Sequence, residues 1–562
     1  MGLAALFALI AVLAGVFHFA SGSPWSEFGA HPDEAAHFVT GLMVRDYFTS
    51  GFHEGPLRYA EEYYRHYPKI GLGVWPPCFY IVQAGWTLIS PAGGPAEGVL
   101  RLMYVLGVGL GLVTGARIWR EFGWVLGATG ATILIALPLV QMYSNMVMAE
   151  MLSALLMFGA VGYFAQFIDG RAGGSSSSSR SSSREDWRGA AGFGICAGLA
   201  MMTKGTGVAL ALVPGLAMVL TGRYDLLKRR SLWVAAAAAG AIGGPWTWHF
   251  RNQGRGGWEE PSPSLHFTKM AASYYGREMC VALGGLLTVL ALAGAVSLFL
   301  PILSKGRKPA IAVCSLALAL GVWAFQCLAP VGLEARHLTP ATPALVVLAI
   351  TGLRALTQRW TGCTGRTGAG PIFAGGLMTV FFAWPAVFHP GGPLPAFPGF
   401  PGFPGYGSIG NRIEVSPFRI ARKQWGGFEP VAIAAMAAMA RGPAERMLIA
   451  SDARGEGMFI AEVAARDPHR PSFTIERASK ILASSTWSGS GYESLYRTPG
   501  EVREALAKAG IDLVVTDESP ATLSAHEKLL LQLMKGAPVI MRSTAVRDGK
   551  QSGAITLSLL PK

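Results

Sequence analysis

The chain has 562 residues, of which 51% are hydrophobic and only 14% charged, and its mean hydropathy is +0.37. Soluble globular chains carry about 25% charged residues, so this balance excludes an ordinary water-soluble protein. The net charge of +13 does not argue for nucleic acid, because membrane proteins collect Lys and Arg in their cytoplasmic loops.

From the amino end, apolar stretches long enough to cross a hydrocarbon core of about 30 Å as helices recur near 2–19, 98–117, 124–141, 148–168, 189–203, 206–221, 232–248, 279–300, 310–328, 340–356 and 371–388. The first lacks a basic residue in front of it, so it is expected as an uncleaved helix rather than a signal peptide. The stretch 76–90 is apolar but shorter, a length that suits a re-entrant or interfacial helix. With the N-terminus inside, the cytoplasmic loops are 117–120, 171–188, 223–230, 305–308 and 354–366, and each holds at least two Lys or Arg. Making 76–90 a span would move several of these loops outside, against the positive-inside rule. The fold class expected is a polytopic α-helical membrane protein of about eleven transmembrane helices with one interfacial helix and a C-terminal soluble α/β domain.

Two outer loops are long, 21–100 and 249–279, and long loops on a rigid scaffold are where function gathers. The serine-rich 173–183 is a solvated linker. Proline and glycine too dense for helix or strand fill 390–410, marking 390–424 as a linker between a membrane domain (1–389) and a C-terminal domain (425–562). In the latter, strands are expected at 447–450, 472–475, 512–515 and 539–541, and helices at 431–440, 456–465, 499–509 and 521–534. Such alternation predicts a largely parallel sheet. The six cysteines lie in or beside apolar segments with no CxxC, so neither a disulfide framework nor a zinc site is indicated.

The first outer loop opens with His31-Pro32-Asp33-Glu34-Ala35-Ala36-His37. Adjacent carboxylates after a proline suit a helix N-terminus; at a membrane face they also suit a general base. Glu150 stands at the outer start of the fourth span, where an ionisable residue is a functional candidate and otherwise a helix cap. Lys204 ends the fifth span, and Arg336 and His337 precede the tenth. Cations at the lipid–water boundary either snorkel or hold a phosphate, which arginine binds bidentately.

Taken in order, these motifs resemble the GT-C glycosyltransferase superfamily, in the branch of the protein O-mannosyltransferases and the lipid A aminoarabinose transferase. The resemblance rests on Pro32-Asp33-Glu34, on Trp75-Pro76-Pro77-Cys78-Phe79-Tyr80, on Arg101, on Glu150, on Gly198-Leu199-Ala200-Met201-Met202-Thr203-Lys204-Gly205 and on Arg336-His337-Leu338-Thr339-Pro340, and it covers about residues 1–360. Trp75 stands where many relatives have a His or a Glu-Lys beside the prolines, which leaves Lys69, Arg65 or His66 to neutralise a donor phosphate there; His337 replaces a more usual tyrosine.

The resemblance implies a polyprenyl-phosphate sugar donor, an acceptor hydroxyl on a lipid, glycan or protein, inversion at the anomeric carbon, Asp33 as general base, and no metal or cofactor. Under it Asp33, Glu34 and Glu150 are the catalytic carboxylates, and Arg336, His337, Lys204 and Lys69 face the donor phosphate. The place expected is a bacterial cytoplasmic membrane with the C-terminal domain outside. The rival functions are a secondary transporter, which predicts inverted repeats and mid-span charges, and a scaffold that displays the C-terminal domain. The sequence holds no such repeat, and its candidate charges lie at span ends.

Overall fold

The computed structural model describes residues 2–561 apart from 72, 91–93, 170–178, 255–261, 300–307, 362–368, 389–424, 443–444, 485–491 and 521–522. The proline- and glycine-rich linker and most of the serine-rich loop therefore lie outside the described residues. The chain divides into two compact units. One comprises Met1–Ala20, Tyr104–Ser144 and Ala149–Ala421, and the other Ser21–Met103, Asn145–Met148 and Arg422–Lys562.

The first unit is helical because a backbone in hydrocarbon has no water to bond and must satisfy its own N–H and C=O groups. Each of the eleven stretches read as spans holds helix among its described residues, the sixth beginning as a 3-10 segment at Gly205–Ala211. By length and hydropathy, six helices among the described residues are able to cross a membrane: Gly2–Ala20, Gly94–Phe122, Glu150–Asp169, Leu265–Ser297, Ala310–Leu328 and Ala335–Gln358. A seventh results if Trp124–Ala136 and Pro138–Ser144, bent by 68° at Leu137, count as one broken span. The bend follows from Pro138, which disfavours the helical conformation at the residue before it; Leu137 is extended, with ψ 127°.

Small residues let these helices approach closely, as membrane packing favours. A side chain at Gly294 or Gly352 would run into the backbone of the facing helix, at Leu348 and Leu290 respectively. The second outer loop is shorter than expected. The Leu265–Ser297 helix begins well before the apolar run, with Ser264 Oγ accepting from Phe267 N–H at 3.0 Å as its cap.

The second unit joins the first outer loop to the C-terminal segment. The loop folds into helices Glu34–Thr49, Pro56–His66 and Cys78–Ile89, the last of them the short apolar element expected at 76–90. The C-terminal strands are β1 (Arg446–Ala450), β2 (Thr474–Arg477), β3 (Ala483–Ser484), β4 (Glu493–Ser494), β5 (Leu513–Asp517), β6 (Val539–Arg547) and β7 (Lys550–Leu559). The main sheet runs β2-β1-β5-β7-β6. It is mixed rather than largely parallel: β1 pairs in parallel with β2 and β5, whereas β7 is antiparallel to both β5 and β6. The physical reason is the Asp548-Gly549 turn, whose φ values of 49° and 75° fit the tight hairpin that fixes two antiparallel strands.

Polar contacts, some buried and some half-buried, tie the two parts of this unit together. Glu27 accepts from the N–H groups of Gly427, Phe428 and Glu429 at 2.9–3.1 Å, sitting at the N-terminus of the Phe428–Arg441 helix. Arg470 pairs with Asp46 at 2.9 Å, and Tyr67 donates to Asp467. His66 Nδ1 lies 3.2 Å from the Phe473 carbonyl.

Candidate active site

In the second unit the candidate residues gather around the start of the Glu34–Thr49 helix. Pro32 stops the preceding chain from being helical, and Asp33 takes the cap position with Glu34 as the first helical residue. Neighbours at a helix start point in different directions, and these two end in opposite environments. Glu34 is fully buried and accepts from Ala30 N–H at 3.0 Å and Val147 N–H at 3.1 Å. It ties the segment Asn145–Met148 to the helix start. The Asp33 side chain keeps 32% of its surface exposed, with one oxygen 3.7 Å from His31 Nδ1.

Lys69 is brought to the same place. It donates to the Ala453 carbonyl at 3.1 Å, and its ammonium is in electrostatic range of Asp33, Asp452 and Glu456. Burial, with the repulsion of Arg477 added, pushes its pKa down to about 8 despite those carboxylates. Trp75 stacks on His37 with ring centroids 4.2 Å apart, and His37 Nδ1 meets Tyr80 Oη at 2.7 Å. The proline-plus-aromatic segment thus fixes the helix whose cap position Asp33 holds. His37 belongs to the motif, but nothing in its spacing announced this stacking role.

In the first unit Glu150 begins the Glu150–Asp169 helix and is buried. Its Oε1 accepts from Lys204 Nζ at 2.6 Å and lies 3.9 Å from Arg336 Nε. Arg336 also pairs with Glu334, Nε to Oε2 at 2.7 Å. A chain separation of 54 residues between Glu150 and Lys204 closes because both stand at helix ends. His337 is buried in the turn before the Thr342–Thr361 helix, its ring centroid 6.5 Å from that of Tyr275. Two cations and two carboxylates balance one another here, leaving a guanidinium plane and an ammonium 15% and 20% exposed. Glu334, two residues before Arg336, was not singled out in the sequence, and the structure makes it an ion-pair partner of that arginine.

Among the described residues no three His, Cys, Asp or Glu side chains converge as a metal site requires. Arg65 is exposed and pairs with Glu62, so it does not join Asp33.

Across 98% of this chain and 97% of the other, the structure is similar to the crystal structure of ArnT from Cupriavidus metallidurans bound to undecaprenyl phosphate, with a TM-score of 0.57 at 14% identity. The chain has the GT-C fold. A second GT-C structure, the Archaeoglobus fulgidus oligosaccharyltransferase in complex with zinc and sulfate, is similar over 91% of this chain and 68% of its own length, with a TM-score of 0.50 at 11% identity. No protein-family model matches the sequence, and no curated protein matches it. At such identities only the GT-C architecture is shared, and the chemistry must be argued from the residues above.

Proposed function

We propose that this chain is a membrane glycosyltransferase that moves a sugar from a polyprenyl-phosphate donor to an acceptor hydroxyl on the extracytoplasmic face of the cytoplasmic membrane. The observation that carries the reading is the contrast at Asp33 and Glu34. One carboxylate is clamped by two backbone N–H groups, while its neighbour stands at the cap position with its side chain 32% exposed and not engaged in capping the helix. Within a GT-C fold that contrast supports Asp33 as the base.

The acceptor oxygen attacks the anomeric carbon and gives its proton to Asp33 Oδ. The bond from that carbon to the phosphate oxygen breaks, and the configuration inverts. Base catalysis of this kind contributes roughly 10²–10⁴ in rate. A departing phosphate gains charge, and Arg336 and Lys204, with His337 next in sequence to Arg336, are the cations suited to offset it. Glu150 pairs with both cations and so holds them in place. The lipid donor is carried over from the ArnT structure bound to undecaprenyl phosphate.

The test is transfer of label from a radiolabelled polyprenyl-phosphate sugar by the purified full chain in detergent or nanodiscs. A transporter would move label between compartments without a new glycosidic bond, and a scaffold would do neither.

A further inference from the structure

The C-terminal sheet winds in two directions. From β1 the Ala453–Arg466 helix leads to β2 on one side, and the chain then returns through the Pro499–Lys508 helix to β5 on the other side of β1. In open α/β sheets such a reversal leaves a crevice at the carboxyl ends of the two strands, where ligands bind. Here those ends are Ser451 and Asp452 after β1, and Asp517 closing β5.

The side chains at this reversal form a frame of charged groups. Arg547, at the end of β6, donates to Asp452 at 2.8 Å, to Asp517 at 2.9 Å and to Ser519 Oγ at 2.7 Å. Ser451 Oγ donates to Asp517 at 2.6 Å. Two groups have donors left over. Tyr492 Oη is buried with no hydrogen-bond partner among the described residues, in electrostatic range of Asp452, Glu456 and Arg477. Lys69 has the same three neighbours, and one of its three N–H donors is used among the described residues. Lys69 is also in electrostatic range of Asp33. A buried hydroxyl without a partner is costly, and its cost is offset when a ligand supplies the partner.

We propose that this crevice binds the saccharide part of the acceptor, with Tyr492 and Lys69 hydrogen-bonding its hydroxyls and so delivering one of them to Asp33, a role for Lys69 in place of the donor-phosphate contact that the family resemblance implies. The proposal rests on the glycosyltransferase reading. The choice of a saccharide follows from the lining. Asp33, Asp452, Glu456, Asp517, Glu527 and Asp548 face Lys69, Arg454, Arg477 and Arg547, so the lining has no excess of cations. A phosphate needs an excess of cations and an acyl chain needs apolar walls, whereas sugar hydroxyls both donate and accept. The Arg547 frame is fully engaged, so Arg547 positions the crevice walls.

The experiment uses the full chain in nanodiscs, as wild type, Tyr492→Phe and Lys69→Gln, each checked for an unchanged melting temperature. The probe is the deacylated oligosaccharide fraction from the envelope of the cell that carries the protein. Saturation-transfer NMR reads binding, and label transfer gives the KM for oligosaccharide and for lipid donor separately. The expected result is saccharide contact in the wild type that is lost in both variants. The acceptor KM should rise about fivefold to tenfold, which is one hydrogen bond, with the donor KM unchanged. Equal saccharide binding by all three proteins, or a rise confined to the donor KM, overturns the proposal, as does contact with acyl chains or peptides alone. Saccharide binding lost in the variants, from a wild type that transfers no sugar, keeps the site and removes the glycosyltransferase reading instead.

Discussion

Asp33 and Glu34 share a peptide bond and divide their work by environment. In sequence they were one acidic pair, because a side chain's burial depends on contacts more than a hundred residues away, here Val147. Asp33→Asn is nearly isosteric and cannot take the proton, so turnover should fall by about 10² or more while the donor still binds; steady-state kinetics with labelled donor decide this. Glu34→Gln keeps one acceptor oxygen but loses the charge that two N–H groups hold, and should lower the melting temperature. Arg336→Lys retains charge and loses the planar fork shared with Glu334. Its expected result is a donor KM raised about tenfold, and a wild-type value would remove it from the phosphate site. Lys69 adds a pH signature. Its folded pKa is lowered from 10.5 to about 8, so an ammonium needed for transfer is lost as pH rises through 8. Stability moves the other way, because the folded state releases that proton more readily than the unfolded chain, and the cost of burying the charge is relieved between 8 and 10.5. Activity falling while the melting temperature holds or rises is the expected pattern, and activity constant to pH 10 would exclude a charged Lys69.

At the scale of elements, periodicity and punctuation were legible and partners were not. The helices at 431–440, 456–465 and 499–509 form as Phe428–Arg441, Ala453–Arg466 and Pro499–Lys508, because capping residues such as Asp452 and Thr498 stand where the pattern starts. The strand β7 was missed although Asp548-Gly549 is a strong hairpin signal, since a strand of the sequence KQSGAITLSL carries little apolar weight on one face. No local pattern shows that Glu27 caps a helix 400 residues further on. Burial, then repulsion from Glu462, pushes Glu27 up to about 8 against the pull of three N–H donors. A carboxyl with a raised folded pKa favours the fold while it is protonated, so stability should decline as pH rises from about 4.5 through 8. Glu27→Gln should flatten that slope in thermal melts across this range. Arg470→Met leaves the half-buried Asp46 without its cation but with the Tyr63 hydroxyl, and should cost about 1–3 kcal/mol.

For the whole molecule, composition and the recurring apolar stretches pointed to a helical membrane protein, and the order of four short motifs and two single residues pointed to the GT-C fold that the structure bears out. The number of spans was less legible, because length and hydropathy cannot tell a straight helix from one broken at Leu137. Sidedness is open to labelling in a cysteine-free background: a cysteine at Lys228 should resist an impermeant thiol reagent in intact cells, and one at the exposed Arg58 should react. The second unit is also assembled from segments far apart in the chain, which sets a schedule for its synthesis. Tyr67 is buried with its hydroxyl on Asp467, 400 residues later. At the usual rate of about 5–20 residues per second, the first outer loop waits roughly 20–80 s for its other half. During that interval its aromatic side chains have no permanent cover, and a ribosome that stalls before the last hundred residues leaves them so. A nascent chain of this design depends on something to shield it, and shortening the C-terminus should be read out first as degradation of the whole protein.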